Sequence, residues 1–328
     1  MDCNYRVYSQ GIMRIIIESH IPFIKGIAEA AGHRVEYLEP DEFTPERVKD
    51  ADALIVRTRT KCDAKLLDGS KVRQIATATI GTDHIDLEYC RRNGIMVHNA
   101  PGCNAPAVAQ YVLSAIARLK PRCKCLGIVG VGHVGSIVER WARANGLNVM
   151  LCDPPRAAAE GPEKFASLDE IARQCDVITF HVPLDQTTRH MINDRLLNSA
   201  APDALIINAS RGPVADTQAL LRCPQTLAID CWEGEPEINL DLLRKAEIAT
   251  PHIAGYSLEG KQRATAMAIH SILPDVNLTI PPVADEPSLS QIAKSYNPFD
   301  DTKELKENPS SFELLRNNYD YRPEPISE

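Results

Sequence analysis

The chain has 328 residues, 44% of them hydrophobic, and a formal net charge of −8. That length suits two domains better than one core, and the acid excess excludes nucleic acid as the main partner, because backbone phosphates demand a basic face. No apolar run approaches the ~20 residues of a membrane helix, and Met1–Ile17 lacks the basic-then-apolar pattern of a secretory signal, so a cytoplasmic protein with no membrane partner is expected.

Regular patterning begins just after Met13, which leaves Met1 or Met13 as the functional start. Apolar runs then alternate with helical patterns, the signature of α/β units on a parallel sheet. The first third offers strands at Arg14–Ile17, Val35–Leu38, Ala53–Val56, Gln74–Thr77 and Ile95–His98, with helices at Pro22–Ala31 and Asp83–Asn93. A long helix, Ala105–Leu119, follows the turn at Ala100-Pro101-Gly102. Six further strands follow: Leu126–Val129, Asn148–Cys152, Val177–Phe180, Leu205–Asn208, Leu227–Asp230 and Ala246–Ala249. Six strands with intervening helices is the count of a full dinucleotide-binding domain. The expected fold is α/β: two doubly wound parallel-sheet lobes, one Rossmann-like and one flavodoxin-like, with a cleft between them and a short C-terminal appendage. The substrate domain takes 1–102, completed by 255–280, the NAD-binding domain 103–254 and the tail 281–328. Ten cysteines, without a CxxC pair, read as reduced thiols and small apolar fillers, and no metal site is expected.

Gly130-Val131-Gly132-His133-Val134-Gly135 lies between the run Gly127–Val129 and the helix that starts near Ser136. In that context Gly130 makes the tight turn, Gly132 admits a pyrophosphate and Gly135 lets helix and strand close, with the helix N-terminus stabilising the anion. Asp153 ends the next strand, where a carboxylate accepts ribose hydroxyls and repels a 2′-phosphate, so the cofactor is NAD. Arg156, three residues on, would soften that preference.

Three later runs each end in a chemical group: Ser210-Arg211-Gly212, Glu233-Gly234-Glu235-Pro236 and Pro251-His252-Ile253-Ala254-Gly255. Parallel strands gather their carboxyl ends at one edge, so these groups should meet. Arginine grips a carboxylate at two points, histidine accepts a hydroxyl proton near neutral pH, and glutamate orients the imidazole. The set Arg211, Glu235 and His252 suits oxidation of a hydroxy acid. Asp230, at a strand end beside them, either caps a turn or holds the nicotinamide carboxamide. Residues 285–328 carry ten acids against five bases and five prolines. Phe312, Leu315 and Tyr319 recur there at helical spacing, which favours an ordered appendage.

The stretches Thr77–His84, Ala100–Ala105, the glycine loop, Cys152–Arg156, Asp230–Pro236 and His252–Lys261 resemble the erythronate-4-phosphate dehydrogenase family, a branch of the D-isomer-specific 2-hydroxyacid dehydrogenases. The resemblance covers about residues 14 to 275, and the tail resembles the end of that family's dimerisation region, which implies a homodimer. It implies NAD-dependent oxidation of a phosphorylated hydroxy acid, 4-phospho-D-erythronate, within vitamin B6 biosynthesis. By position it makes Arg211, Glu235 and His252 catalytic. It puts Asp153, Val182, Asp230 and Gly255 against the cofactor, and Thr58, Thr79 and Tyr256 against substrate. Arg57, in the basic stretch Arg57-Thr58-Arg59-Thr60-Lys61, is the candidate for the phosphate. Two alternatives stay open: another dehydrogenase of the superfamily, acting on phosphoglycerate or glyoxylate/hydroxypyruvate, or a non-catalytic NAD-sensing binding protein.

Overall fold

The structure, a computed structural model, describes residues 11–325, so the choice of Met1 or Met13 as start and the last three residues of the tail lie outside it. Among the described residues no helix is long and apolar enough to cross a membrane. The chain divides into two compact units. One runs to Cys103 and takes back Lys261–Pro281; the other comprises Asn104–Gly260 and everything from Pro282 onward. The acidic tail therefore belongs to the second unit and is not a separate body.

In the first unit, β1 (Arg14–Glu18), β2 (Arg34–Leu38), β3 (Ala53–Val56), β4 (Gln74–Thr77) and β5 (Met96–His98) form one parallel sheet in the order β2-β1-β3-β4-β5. That is the flavodoxin-like order, with its switch point between β1 and β3. The strands read as unbroken aliphatic runs because both faces are covered. Ile15, Ile17 and Ile55 pack on one side, and Ile16, Leu54 and Val56 on the other, as the two-residue period of a strand requires. The expected helix Pro22–Ala31 shrinks to Ile27–Ala30, because Gly26 sits at φ +82° immediately before it. The expected helix Asp83–Asn93 begins only at Leu87, where the Asp86 carboxylate caps it by accepting from Tyr89 N at 2.8 Å.

In the second unit, β6 (Cys125–Val129), β7 (Asn148–Cys152), β8 (Val177–Phe180), β9 (Leu205–Asn208), β10 (Thr226–Ile229) and β11 (Ile248–Ala249) form a parallel sheet ordered β11-β10-β9-β8-β6-β7. The chain reverses direction between β6 and β8, which is where doubly wound sheets bind nucleotides. The helix Ala105–Leu119 is buried along nearly its whole length. It shares a core with Leu126, Ile128, Leu205 and Ile207, while Ile178, Phe180, Ile206 and Ile229 face the opposite core. The tail forms helices Leu289–Ser295, Pro298–Glu307 and Phe312–Asn317. Ile292 and Tyr296 enter the first of those cores, and Leu305 and Phe312 the second. Between them the tail covers the sheet edge at β11, where Thr302 Oγ1 accepts from Ala249 N at 3.0 Å. An edge strand left bare would present unpaired amides, and this hydroxyl satisfies one of them.

Candidate functional site

The glycine loop follows β6 and opens the helix His133–Ala144. Gly130 has φ +86°, and a Cβ there would lie 2.8 Å from the His181 carbonyl and 2.9 Å from Val182 Cγ1. A Cβ on Gly135 would lie 2.1 Å from Gly130 O. These two glycines close the turn and the helix–strand contact. Gly132 behaves differently: a Cβ there would meet nothing within 4 Å. It is also the helix N-cap and supplies no side-chain acceptor to the first amides. An open face over uncapped helical N–H groups is a cradle for an anion. His133 is exposed and Val134 half-buried at its start.

Asp153 directly follows β7 and faces this loop. Its Oδ2 accepts from Val131 N at 2.7 Å, and Oδ1 caps the next helix by accepting from Arg156 N at 3.0 Å. A carboxylate has about four acceptor positions, so both oxygens retain capacity for hydroxyls. Arg156 is committed elsewhere. It donates to Glu160 at 2.6 and 2.8 Å and to Val131 O at 2.8 Å. A guanidinium paired in this way does not counterbalance Asp153, and the set fits NAD.

The three strand-end groups leave β9, β10 and β11, which are neighbours in the sheet. Arg211 follows β9. The glycine after it has to be glycine, since a Cβ on Gly212 would fall 1.8 Å from Trp232 O. Asn208 Nδ2 donates to Arg211 O at 3.1 Å and to Cys231 O at 3.2 Å, which ties the β9 and β10 loops together. Glu235 follows β10. Its Oε1 accepts from Trp232 N at 2.6 Å, and its Oε2 lies 2.7 Å from His252 Nδ1. Burial alone would raise the Glu235 carboxyl, but His252 and the Trp232 amide hold it below its ordinary range. An ionised Glu235 makes Nδ1 the donor, so Nε2 is the basic nitrogen in the neutral ring. The structure thus brings Glu235 and His252 into direct contact. Arg211 Nη1 folds back onto Ser210 O at 2.9 Å.

His252 follows β11 at φ +57°, an uncommon conformation for a non-glycine residue. Asp230 holds it there. The Asp230 carbonyl accepts from His252 N at 3.0 Å. The carboxylate, only 1% exposed, accepts from Thr250 Oγ1 at 2.7 Å, Ile253 N at 2.8 Å and Ala254 N at 3.0 Å. Of the two roles open to Asp230 from sequence, turn cap is the one this hydrogen bonding displays. Gly255 packs against Asn104, where a Cβ would lie 2.2 Å from Nδ2. Tyr256 Oη accepts from Arg316 Nε at 3.3 Å.

The C-terminal segment holds the same loop from its other side. Arg322, 7% exposed, donates to Ile253 O and Tyr256 O at 3.0 Å each and also to Ala254 O and Gln110 Oε1. Its guanidinium stacks over Tyr296 at 4.0 Å. Asn208, Thr250, Arg316 and Arg322 escape the sequence reading. An asparagine ending an aliphatic strand was the one visible signal among them.

The substrate candidates of the first unit follow β3 and β4. Glu18, fully buried at the end of β1, accepts from Arg57 Nε at 2.8 Å, Arg57 N at 2.9 Å and Thr60 Oγ1 at 2.9 Å. Arg57 is therefore held in a fixed pose. Thr58 is exposed, and Thr79 Oγ1 lies 2.8 Å from Thr77 Oγ1 and donates to Gly81 O. The nine described cysteines are free thiols. Cys231 brings a ligand atom within 4.8 Å of those of Glu235 and His252. Its thiol is buried, pushed well up by desolvation and donated to Ser210 O at 3.3 Å. A protonated thiol beside a mutually engaged Glu–His pair is a poor metal donor set.

The model of the D-isomer specific 2-hydroxyacid dehydrogenase NAD binding domain matches residues 111–254. The erythronate-4-phosphate dehydrogenase of Bacteroides thetaiotaomicron is 45% identical, with 95% of this chain and 97% of that protein covered. The enzyme of the same name from Porphyromonas gingivalis is 42% identical over 94% of this chain and 92% of its own. Among solved structures, NAD⁺-bound 3-phosphoglycerate dehydrogenase of Entamoeba histolytica superposes with a TM-score of 0.66 at 27% identity, covering 83% of this chain and 99% of that one. D-lactate dehydrogenase of Aquifex aeolicus, complexed with NAD and lactic acid, gives 0.66 at 26% identity over 80% and 95%. The chain belongs to the erythronate-4-phosphate dehydrogenase family of the D-isomer-specific 2-hydroxyacid dehydrogenases.

Proposed function

We propose that this chain oxidises 4-phospho-D-erythronate to 3-hydroxy-2-oxo-4-phosphobutanoate, as a cytoplasmic homodimer serving vitamin B6 biosynthesis. The glycine loop and Asp153 would hold NAD⁺, which would supply the hydride acceptor. Arg211 grips the C1 carboxylate and polarises the carbonyl that forms at C2. His252 Nε2 takes the C2 hydroxyl proton as the C2 hydrogen leaves with its electron pair. Glu235 keeps Nδ1 protonated and offsets the charge that the ring gains. Val182 and Gly255 border the cofactor, and Asp230 reaches it through the loop it organises. Tyr256, Thr58, Thr79 and Arg57 serve the substrate.

The observation that carries this reading is the 2.7 Å contact between Glu235 and His252 at adjacent strand ends. It presents one basic nitrogen in a defined tautomer, two strands away from the β9 end that carries Arg211. His252→Asn is the test. Turnover of 4-phosphoerythronate falls by about 10³-fold or more, while NADH binding, followed by fluorescence, stays close to wild type. Near-normal turnover in that variant overturns the assignment.

A further inference from the structure

The substrate of the proposed reaction carries an anion at each end, and Arg211 answers only the carboxylate. The first unit holds a guanidinium of a different build. Arg57 directly follows β3, and Glu18 ends the neighbouring β1. Glu18 is 0% exposed, so its carboxylate has only protein groups to face. Its Oε1 accepts from Arg57 Nε at 2.8 Å, and its Oε2 accepts from Arg57 N and Thr60 Oγ1, both at 2.9 Å. A carboxylate that met the whole guanidinium fork would take one nitrogen on each oxygen. Here the second oxygen is occupied by the peptide amide and by Thr60, and Nη1 and Nη2 of Arg57 have no partner among the described residues. The Arg57 side chain keeps 24% of its surface exposed, and Thr58 beside it is exposed. Lys61, in the same basic stretch, makes only a solvated pair with Asp63 at 3.1 Å, a contact that fixes little.

We propose that Glu18 is a positioning residue, which locks Arg57 by its Nε edge and its amide so that the outer edge, Nη1 and Nη2, is a ready receptor for the substrate's phosphate. A free arginine side chain is mobile, and ordering it on a ligand gives up most of that freedom. One held at Nε and at its own amide has lost it during folding, so the ligand does not have to order it. The two Nη groups lie in one plane and match two oxygens of a phosphate. Glu18 offsets part of the cation's charge, but it engages Nε from the core and leaves the N–H groups of both Nη atoms to the ligand. The buried pair thus sets a preference for a phosphorylated acid over its unphosphorylated counterpart. This inference deepens the functional reading above and rests on it for the carrier of the phosphate, but not for the orientation of Arg57.

Inorganic phosphate is titrated calorimetrically into the NAD-loaded protein, and steady-state kinetics compare 4-phosphoerythronate with unphosphorylated erythronate. Glu18→Gln turns an amide N–H toward donors and releases the guanidinium. It should weaken phosphate binding about 10–30-fold, the rotamer freedom of one long side chain. The ratio of kcat/KM for the phosphorylated acid to that for erythronate should fall by the same factor, through KM rather than kcat. Arg57→Ala should lower kcat/KM for the phosphorylated acid about 100-fold, as charged hydrogen bonds are lost. The double variant Glu18→Gln/Arg57→Ala should match Arg57→Ala within about twofold, because Glu18 acts only through Arg57. A further loss in the double variant as large as that of Glu18→Gln alone is what a merely structural carboxylate gives, and it overturns the proposal. So does an unchanged ratio between the two acids in Glu18→Gln. Arg57→Lys covers the case in which circular dichroism shows Glu18→Gln unfolded. Its ammonium is taken by Glu18 and has no outer edge, so it should lose as much as Arg57→Ala, and a lysine variant within about threefold of wild type overturns the positioning. Phosphate affinity that depends on Glu18 and Arg57 in a protein that does not oxidise 4-phosphoerythronate upholds the positioning and rejects the functional reading. Oxidation of 4-phosphoerythronate with a phosphate affinity indifferent to Glu18 rejects the positioning and leaves the functional reading standing.

Discussion

Arg322→Met is the sharpest probe of how the tail supports the loop that carries His252. Methionine keeps the apolar stem and removes the guanidinium. Ile253 O retains a second donor, Tyr256 N at 2.8 Å, so the penalty falls on the carbonyls of Ala254 and Tyr256 and on the buried Gln110 Oε1. An unsatisfied buried carbonyl costs about 1–3 kcal/mol. The lost stacking on Tyr296 costs up to ~2 kcal/mol in a desolvated setting. Opposing these losses, the desolvation cost of the guanidinium disappears, and replacing buried charge by apolar groups is at times neutral. Here the partners left behind, backbone carbonyls and the Gln110 amide oxygen, stay in place when it is removed, so the losses win. The net expectation is about 3 kcal/mol of destabilisation. Denaturant unfolding measures it directly, and kcat should fall together with it while NADH affinity changes little. A loss below about 1 kcal/mol with unchanged kcat would mean that Arg322 does not hold the loop.

Two further outcomes follow from the polar network. The depressed Glu235 carboxyl contributes stability that is fully present above the unfolded carboxylate pKa of ~4.3 and is lost as pH falls through the lower folded value. The thermal midpoint of wild type should therefore exceed that of Glu235→Gln near neutrality by a margin that narrows below pH ~4.3, and a margin constant down to pH ~3.5 contradicts the coupling. Asp153→Ser alone should improve NADP use only modestly, because Arg156 stays paired to Glu160. Adding Glu160→Gln frees the guanidinium and should raise kcat/KM for NADP by about tenfold more, a gain whose absence in initial-rate assays would show that Arg156 cannot reach a 2′-phosphate.

What could be read from the sequence was what depends on short spacing. The glycine loop, Asp153 and the strand-end positions of Arg211, Glu235 and His252 each declare themselves within a few residues of an aliphatic run, and the parallel sheet does the rest. Helix lengths were less legible. Gly26 and Asp86 reset two helix starts through a positive φ and a cap, which apolar periodicity does not register. The dual reading of Asp230 could not be resolved either, because its partners Thr250, Ile253 and Ala254 sit some twenty residues on. The tail was least legible. Arg322 meets Gln110 across 212 positions and Arg316 meets Tyr256 across 60, and no local pattern encodes such pairings. A basic residue in an acidic, proline-punctuated tail reads as solvated until its distant acceptors are known.

His252, the proposed proton acceptor, sits in a conformation that costs about 1–3 kcal/mol for a non-glycine residue. Two opposed devices hold it there. On one side the Asp230 carboxylate collects the N–H groups of Ile253 and Ala254, and on the other the Arg322 guanidinium collects the C=O groups of Ile253, Ala254 and Tyr256. A peptide loop has donors and acceptors on opposite edges, so a buried anion and a buried cation clamp it from both. Either charge alone would be costly to bury. Fixed to the same loop, each is matched by oriented backbone dipoles rather than by the other charge. The strain at His252 is thereby met once, during folding, and the imidazole needs no reorganisation when a proton arrives. On this argument the tail and β10 are parts of one device, and the acid that ends the strand and the arginine near the end of the chain should lose activity in the same way when removed, through the geometry of the loop rather than through cofactor affinity.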